Sequence, residues 1–227
     1  SASRTPEQMG QIRLNHAEIR TWMTDQLDRH RGGEGEHLLN AVKSAIDTGQ
    51  FTFDQGLTTM MTLLSAGGES TSSLLGNAVR IIAENPDLLA RLKADRCQIP
   101  AFIEEALRIE SPFRSHLRSV PHDTELGGVA LPAGSTLLMM WGAANRDPAK
   151  FDNPAQIKFG RKQQHVTFGR GIHLCVGAAL ARMEARIVLG AMLERDSFPI
   201  LDEANLPQWE YSLQVRRHAA LPMVWPA

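Results

Sequence analysis

The ten residues Phe168-Gly169-Arg170-Gly171-Ile172-His173-Leu174-Cys175-Val176-Gly177 place one cysteine among glycines, just ahead of a run of good helix formers from Ala178 to Leu189. This order constrains the fold: a glycine turn must hand the cysteine to the start of a helix. Gly169, Gly171 and Gly177 permit backbone conformations that are costly for residues with a Cβ, and they let the main chain approach a flat ligand closely. A helix N-terminus offers unpaired N–H groups and the positive end of a dipole, which favour thiolate over thiol against an ordinary pKa of about 8.5. A thiolate is the form in which cysteine binds a metal, so Cys175 is a candidate metal ligand. The competing reading is a structural cysteine buried in a glycine-rich turn, the commoner fate of a lone cysteine.

The stretch resembles the cysteine-ligand loop of the cytochrome P450 family: Phe, Gly, any residue, Gly, any, His or Arg, any, Cys, any, Gly. Every fixed position is filled. The resemblance implies a mainly α fold with small β sheets, this chain matching only the C-terminal portion of the family's fold. It also implies haem b (iron protoporphyrin IX) as cofactor, with Cys175 as the iron ligand and Phe168 and Gly169 beside the ring.

Two motifs lie upstream. Glu105 and Arg108 form the chain's only Glu-x-x-Arg, and a spacing of three puts acid and guanidinium on one helix face. Pro112 ends that helix. In the family this pair is a structural clamp beneath the haem, completed by an arginine from a Pro-Glu-Arg-Phe-like segment. The nearest counterpart is Pro154-Ala155-Gln156-Ile157, with neutral Gln156 where the arginine is expected.

The other motif, Ala66-Gly67-Gly68-Glu69-Ser70-Thr71, falls inside an apolar helix expected from Phe53 to Ala83, opened by a capping box over Thr52 to Gln55 and stopped by Asn85-Pro86. Adjacent glycines cost a helix interior about 1 kcal/mol each relative to alanine. Their clustering suggests either a local rule broken for function or close packing of another helix. By resemblance, this helix crosses the distal haem face, with Ala66 and Gly67 at the cofactor. Glu69 with Ser70 or Thr71 would be the acid-alcohol pair that relays protons.

Arg114, His116 and Arg118 alternate as in a strand and should share one face. By resemblance, Arg118 and His173 bind the haem propionates, and His116 faces the haem edge or substrate pocket, more as a polar neighbour than as an iron ligand. Phe113, Leu117, Ser212 and Leu213 match segments that line the family's substrate cavity; ordinary core is the competing reading.

Composition bounds the rest. The 227 residues are 43% hydrophobic with a formal net charge of -1, which suits a globular domain and gives no sign of nucleic-acid binding. Cys97 and Cys175 cannot make a four-cysteine metal site. Without a signal peptide or a long apolar run, a soluble, cytoplasmic protein with no membrane anchor is expected. Helices are expected at Gln8 to Arg31 (closed by Gly32-Gly33), His37 to Asp47, Asp87 to Ala94, Ala101 to Glu110 and Ala178 to about Arg195. Strands are expected at Arg114 to Val120, around Gly127-Gly128, at Ser135 to Trp141 and between Gln208 and Pro222, with an ordered meander from Asn145 to Thr167. A single compact unit is the default, either a fragment of a longer protein or a shortened form, and uncovered helix faces make self-association a further expectation.

The activity implied is monooxygenation of an apolar small molecule by dioxygen. Electrons would come from a ferredoxin and ferredoxin reductase, the ferredoxin docking on a basic patch of Arg161, Lys162, Arg170, Arg182 and Arg186. The alternatives are a peroxide-driven haem-thiolate enzyme and a catalytically silent haem-binding or interaction protein.

Overall fold

A computed structural model describes residues 5–29 and 37–226, which fall into two units, residues 1–68 and 69–227. The first holds helix α1 (Pro6–Arg29), helix α2 (Leu38–Asp47) and the opening turns of helix α3 (Phe53–Ala83). Both long helices start from reciprocal caps. Thr52 N–H donates to Gln55 Oε1 at 2.8 Å while Gln55 N–H donates to Thr52 Oγ1 at 3.2 Å, as the sequence led us to expect. The same exchange between Thr5 and Gln8, at 2.9 and 3.2 Å, starts α1. Met23, Leu27, Val42 and Leu57 form the buried core of this unit. Gly56 is needed there, because a Cβ would stand 2.5 Å from Ile46 Cδ1. The Gly32-Gly33 stop signal lies outside the described residues.

The second unit takes the rest of α3, then helices α4 (Pro86–Ala94) and α5 (Ile99–Ile109), strands β1 (His116–Ser119), β2 (Thr124–Leu126), β3 (Val129–Leu131) and β4 (Thr136–Met139), and the single-turn helix α6 (Trp141–Ala144). After the meander come helix α7 (Ala178–Glu194) and strands β5 (Ile200–Leu201), β6 (Gln208–Trp209), β7 (His218–Ala220) and β8 (Met223–Val224). The strands pair antiparallel, β1 with β4, β2 with β3, β5 with β8 and β6 with β7. Gly127 and Gly128, at φ +60° and +82°, make the tight β2–β3 turn. The core joins Leu74, Ala78 and Ile82 of α3 to Leu92 of α4, Phe102, Ile103 and Leu107 of α5, and Ala185 and Leu189 of α7. Strands are shorter than expected: β1 begins at His116, and Trp141 opens α6.

The β6–β7 pair carries a pH-sensitive contact. Trp209 stacks on His218 at 3.9 Å, and the Arg216 guanidinium lies 3.3 Å from the centre of the indole ring. Burial, reinforced by the charges of Arg80 and Arg216, holds His218 down at about 4. A histidine whose folded pKa is depressed contributes stability that is complete above its unfolded value of about 6.5 and declines as pH falls towards 4. Urea denaturation should therefore show stability falling between about pH 6.5 and 4 in the parent, and falling less steeply in His218→Phe. Equal slopes would show that His218 is not the titrating group.

Candidate functional site

The site is built outward from α5. Glu105 and Arg108 are buried, with side chains 6% and 1% exposed. Arg108 meets the Glu105 carboxylate through Nε and Nη2 at 2.8 and 2.9 Å. Its remaining N–H groups donate to the carbonyl oxygens of Asn145 (3.1 Å), Pro154 (2.7 Å) and Gln156 (2.9 Å). All five guanidinium donors are thus placed. Burial pushes the Glu105 carboxyl up, but the hydrogen bonds from Arg108, Lys158 N–H and Arg161 outweigh it and hold it below its usual range.

The third member of the clamp is Arg161 and not the side chain of Gln156. Arg161 Nε lies 3.1 Å from Glu105 Oε2, its side chain is 5% exposed, and it also binds the carbonyls of Asp152, Asn153 and Gln156. Gln156 contributes only its main-chain oxygen, shared by both arginines. This corrects two expectations: the clamp has its second cation, and Arg161 is not a free docking residue. Arg182 is not free either, since its Nε and Nη2 meet Glu104 at 2.7 and 2.9 Å.

Asn145, fully buried, carries the clamp into the cysteine loop. Its amide donates to Ser111 Oγ (2.9 Å) and Thr167 Oγ1 (2.8 Å), and its Oδ1 accepts the Val166 N–H at 2.7 Å. Thr167 Oγ1 also donates to the Leu107 carbonyl of α5 at 2.8 Å. The sequence reading missed Asn145; the only signal was a polar residue directly after the apolar run that forms α6.

The loop itself turns at Gly169 and Gly171, both in the left-handed region at φ +71° and +69°. A 3₁₀ turn, Gly171–His173, then delivers Cys175, whose N–H donates to the Phe168 carbonyl at 2.9 Å. Gly177, at φ −82°, does not need glycine for its conformation as expected; a Cβ there would only reach van der Waals contact with Cys175 Sγ, at 3.8 Å. Cys175 is exposed ahead of α7, flanked by Ile172 (97% exposed), Leu174 and Val176 (89% exposed). His173 and Arg118 are also exposed, and Arg118 Nη1 donates to the Leu117 carbonyl at 2.8 Å.

His116 is half-buried. The Trp141 indole N–H donates to its Nδ1 at 2.7 Å, which leaves the proton on Nε2. Burial and the charge of Arg118 lower its pKa, keeping the ring neutral. Phe113, Ser212 and Leu213 come together where the β6–β7 connection crosses the segment before β1. Phe113 bridges Val215, Arg114 N–H donates to the Gln214 carbonyl at 2.7 Å, and Ser115 Oγ donates to the Leu213 carbonyl at 3.3 Å. The Ser212 hydroxyl is taken up by the N–H groups of Gln214 and Val215. Leu117, opposite Leu138 in the β1–β4 pair, is exposed.

α3 runs unbroken through Ala66, Gly67, Glu69, Ser70 and Thr71. Among the described residues no neighbouring atom lies within 4 Å of a Cβ built at Gly67 or Gly68. Glu69 pairs with Arg217 at 3.2 Å, and Arg217 also approaches Glu210 at 3.7 Å. Sequence reasoning missed Arg217, which reaches Glu69 from the connection between β6 and β7.

The described residues thus combine a mostly helical architecture, a cysteine presented ahead of a helix, and a buried carboxylate–guanidinium clamp. The profile of the family described as Cytochrome P450 matches residues 35–215, and the chain belongs to that family. It is 45% identical over 202 residues to Cytochrome P450 144 of Mycobacterium tuberculosis, an alignment covering 88% of this chain and 46% of that protein. It is 35% identical to 6-deoxyerythronolide B hydroxylase of Saccharopolyspora erythraea, covering 96% of this chain and 55% of the hydroxylase. Among solved structures, cytochrome P450 CYP109Q5 from Chondromyces apiculatus superposes with a TM-score of 0.85 at 34% identity, over 95% of this chain and 56% of that one. The chain therefore spans about half the length of the relatives it matches, and its fold is part of the family's. No described helix is long and apolar enough to cross a membrane.

Proposed function

We propose that the chain carries the haem b centre of a monooxygenase that places one atom of dioxygen into an apolar small molecule, with electrons from a ferredoxin and its reductase. The observation that carries this reading is the sulfur of Cys175, exposed between apolar side chains ahead of α7 in a chain of this family. The donor set fits the group: a soft sulfur for iron, apolar Ile172, Leu174 and Val176 for a flat ring, and Arg118 with His173 for two carboxylates. Bound there, with Cys175 as its sulfur ligand, a haem would supply the activation of dioxygen.

The chain's own residues do the rest. Phe168 and Gly169 would support the ring from the loop. His116, neutral and with its proton on Nε2, serves as a hydrogen-bond donor and not as an iron ligand. Glu69, paired with Arg217 in the middle of α3, is a carboxylate that can exchange protons with the Ser70 or Thr71 hydroxyl that follows it in the helix. Phe113, Leu117 and Leu213 offer apolar surface to a substrate. Lys162, Arg170 and Arg186 stay exposed for an acidic electron donor.

The haem-loaded protein, given ferredoxin, reductase and a nicotinamide reductant, should consume dioxygen in step with product, and Glu69→Gln should slow product formation by about 10²-fold. Turnover with hydrogen peroxide alone and none with the ferredoxin system would overturn the proposed electron source. Turnover unchanged in Glu69→Gln would remove this carboxylate from proton delivery.

A further inference from the structure

The side of the cysteine loop that faces α5 holds a cleft of about 610 Å³ lined by Glu104, His165, Phe168, Leu174, Ala178 and Arg182, among others. Two ionisable groups there converge on one carboxylate, that of Glu104. Arg182 binds Glu104 in a bidentate fork at 2.7 and 2.9 Å, and His165 Nε2 lies 3.1 Å from Glu104 Oε2. Both partners also touch the same aromatic ring. The Arg182 guanidinium lies 4.5 Å from the centre of Phe168, and the His165 ring is tilted against it with centroids 6.0 Å apart. The Phe168 carbonyl, in turn, receives the Cys175 N–H.

Glu104 and Arg182 are each about two-fifths exposed, and an isolated ion pair at that exposure stabilises little. A planar fork stacked on an aromatic ring and joined by a third partner is a different case, because each contact fixes a group that the others already hold. His165 accepts the Thr167 N–H on Nδ1 at 3.3 Å, so its Nε2 proton is directed to Glu104. Partial burial pushes the Glu104 carboxyl up, but the hydrogen bonds from Arg182 and His165 outweigh it and hold it at about 2. Glu104 is therefore ionised throughout the neutral range.

We propose that Glu104 is a positioning residue for Cys175: it clamps Arg182 and His165 against the ring of Phe168, and so fixes the carbonyl that holds the Cys175 main chain. The proposal rests on the haem-thiolate reading for its consequence, though not for its geometry. In the haem-free chain, loosening the brace frees the Cys175 N–H. In the loaded protein it loosens the delivery of sulfur to iron. Glu105, next in sequence, secures the meander through Arg108 and Arg161; Glu104 secures the loop.

Amide hydrogen exchange in the haem-free chain tests the brace directly. Glu104→Gln keeps the shape of the side chain and removes its charge, and should speed exchange at Cys175 by roughly tenfold while leaving the buried Leu189 amide of α7 unchanged. Arg182→Lys keeps the charge but loses the planar fork, and should give an intermediate increase. Arg96→Gln, which breaks the exposed Arg96–Glu194 pair, should change neither amide. In the haem-loaded, reduced, carbon monoxide-treated protein, Glu104→Gln should lower the share of the strongly red-shifted Soret band in favour of the unshifted one. Cys175 exchange within twofold of the parent in Glu104→Gln, or the same increase in Arg96→Gln, would overturn the proposal. Absence of the red-shifted band in the parent would instead overturn the haem-thiolate reading, with the brace still judged by exchange.

Discussion

Arg108→Ala should destabilise the chain by about 3–5 kcal/mol, the range expected when one partner of a buried ion pair is removed and the other is left uncompensated. Against a typical domain stability of about 5–15 kcal/mol, that loss leaves the chain marginal or unfolded at room temperature. The reason is the number of groups that Arg108 satisfies. Its removal strands part of the Glu105 carboxylate and frees the carbonyls of Asn145 and Pro154 at once, leaving that of Gln156 to Arg161 alone. Arg108→Lys should fall between parent and alanine, because an ammonium keeps the charge but cannot reproduce the planar fork. Urea denaturation followed by circular dichroism would measure both variants, with Arg96→Gln as the exposed control. A loss below about 1 kcal/mol in Arg108→Ala would show that the clamp is not what holds the meander to α5.

Cys175→Ala should abolish the strongly red-shifted Soret band of the reduced, carbon monoxide-bound protein and sharply reduce haem retention, whereas Cys97→Ala should leave both intact. The contrast follows from position. Cys97 lies in the 3₁₀ turn Arg96–Gln98, its N–H bound to the Asp95 carboxylate, away from the glycine loop. Cys175 stands ahead of α7 at the end of the glycine loop, exposed between Leu174 and Val176. An absorption spectrum of each variant decides the matter. An unchanged band in Cys175→Ala would show that Cys175 is not the iron ligand and would overturn the proposed chemistry.

What could be foreseen was local. The cysteine loop and α7 follow from fixed short spacings, Thr52 and Gln55 announced α3 at its first turn, and Glu105 with Arg108 had to share a helix face. Their burial was another matter, since an i,i+3 pair looks the same in sequence whether it faces water or core. Arg161 escaped because the segment from Asn145 to Thr167 has no repeat that dictates which side chains turn inward. An arginine five residues beyond Gln156 does the work expected at that position. The Glu69–Arg217 pair and the β5–β8 ladder depend on contacts distant in sequence, and strands of two residues are too short to show alternation.

The hydrogen-bond acceptors of Arg108 outside α5 are main-chain oxygens, and so are three of those that hold Arg161. Randomising Ala155 and Gln156 in a library should therefore be widely tolerated, since a carbonyl is present whatever side chain accompanies it. Adding or deleting a single residue there should not be, because it would displace the Gln156 carbonyl and Arg161 itself relative to the oxygens of Asp152, Asn153 and Pro154 that come before them.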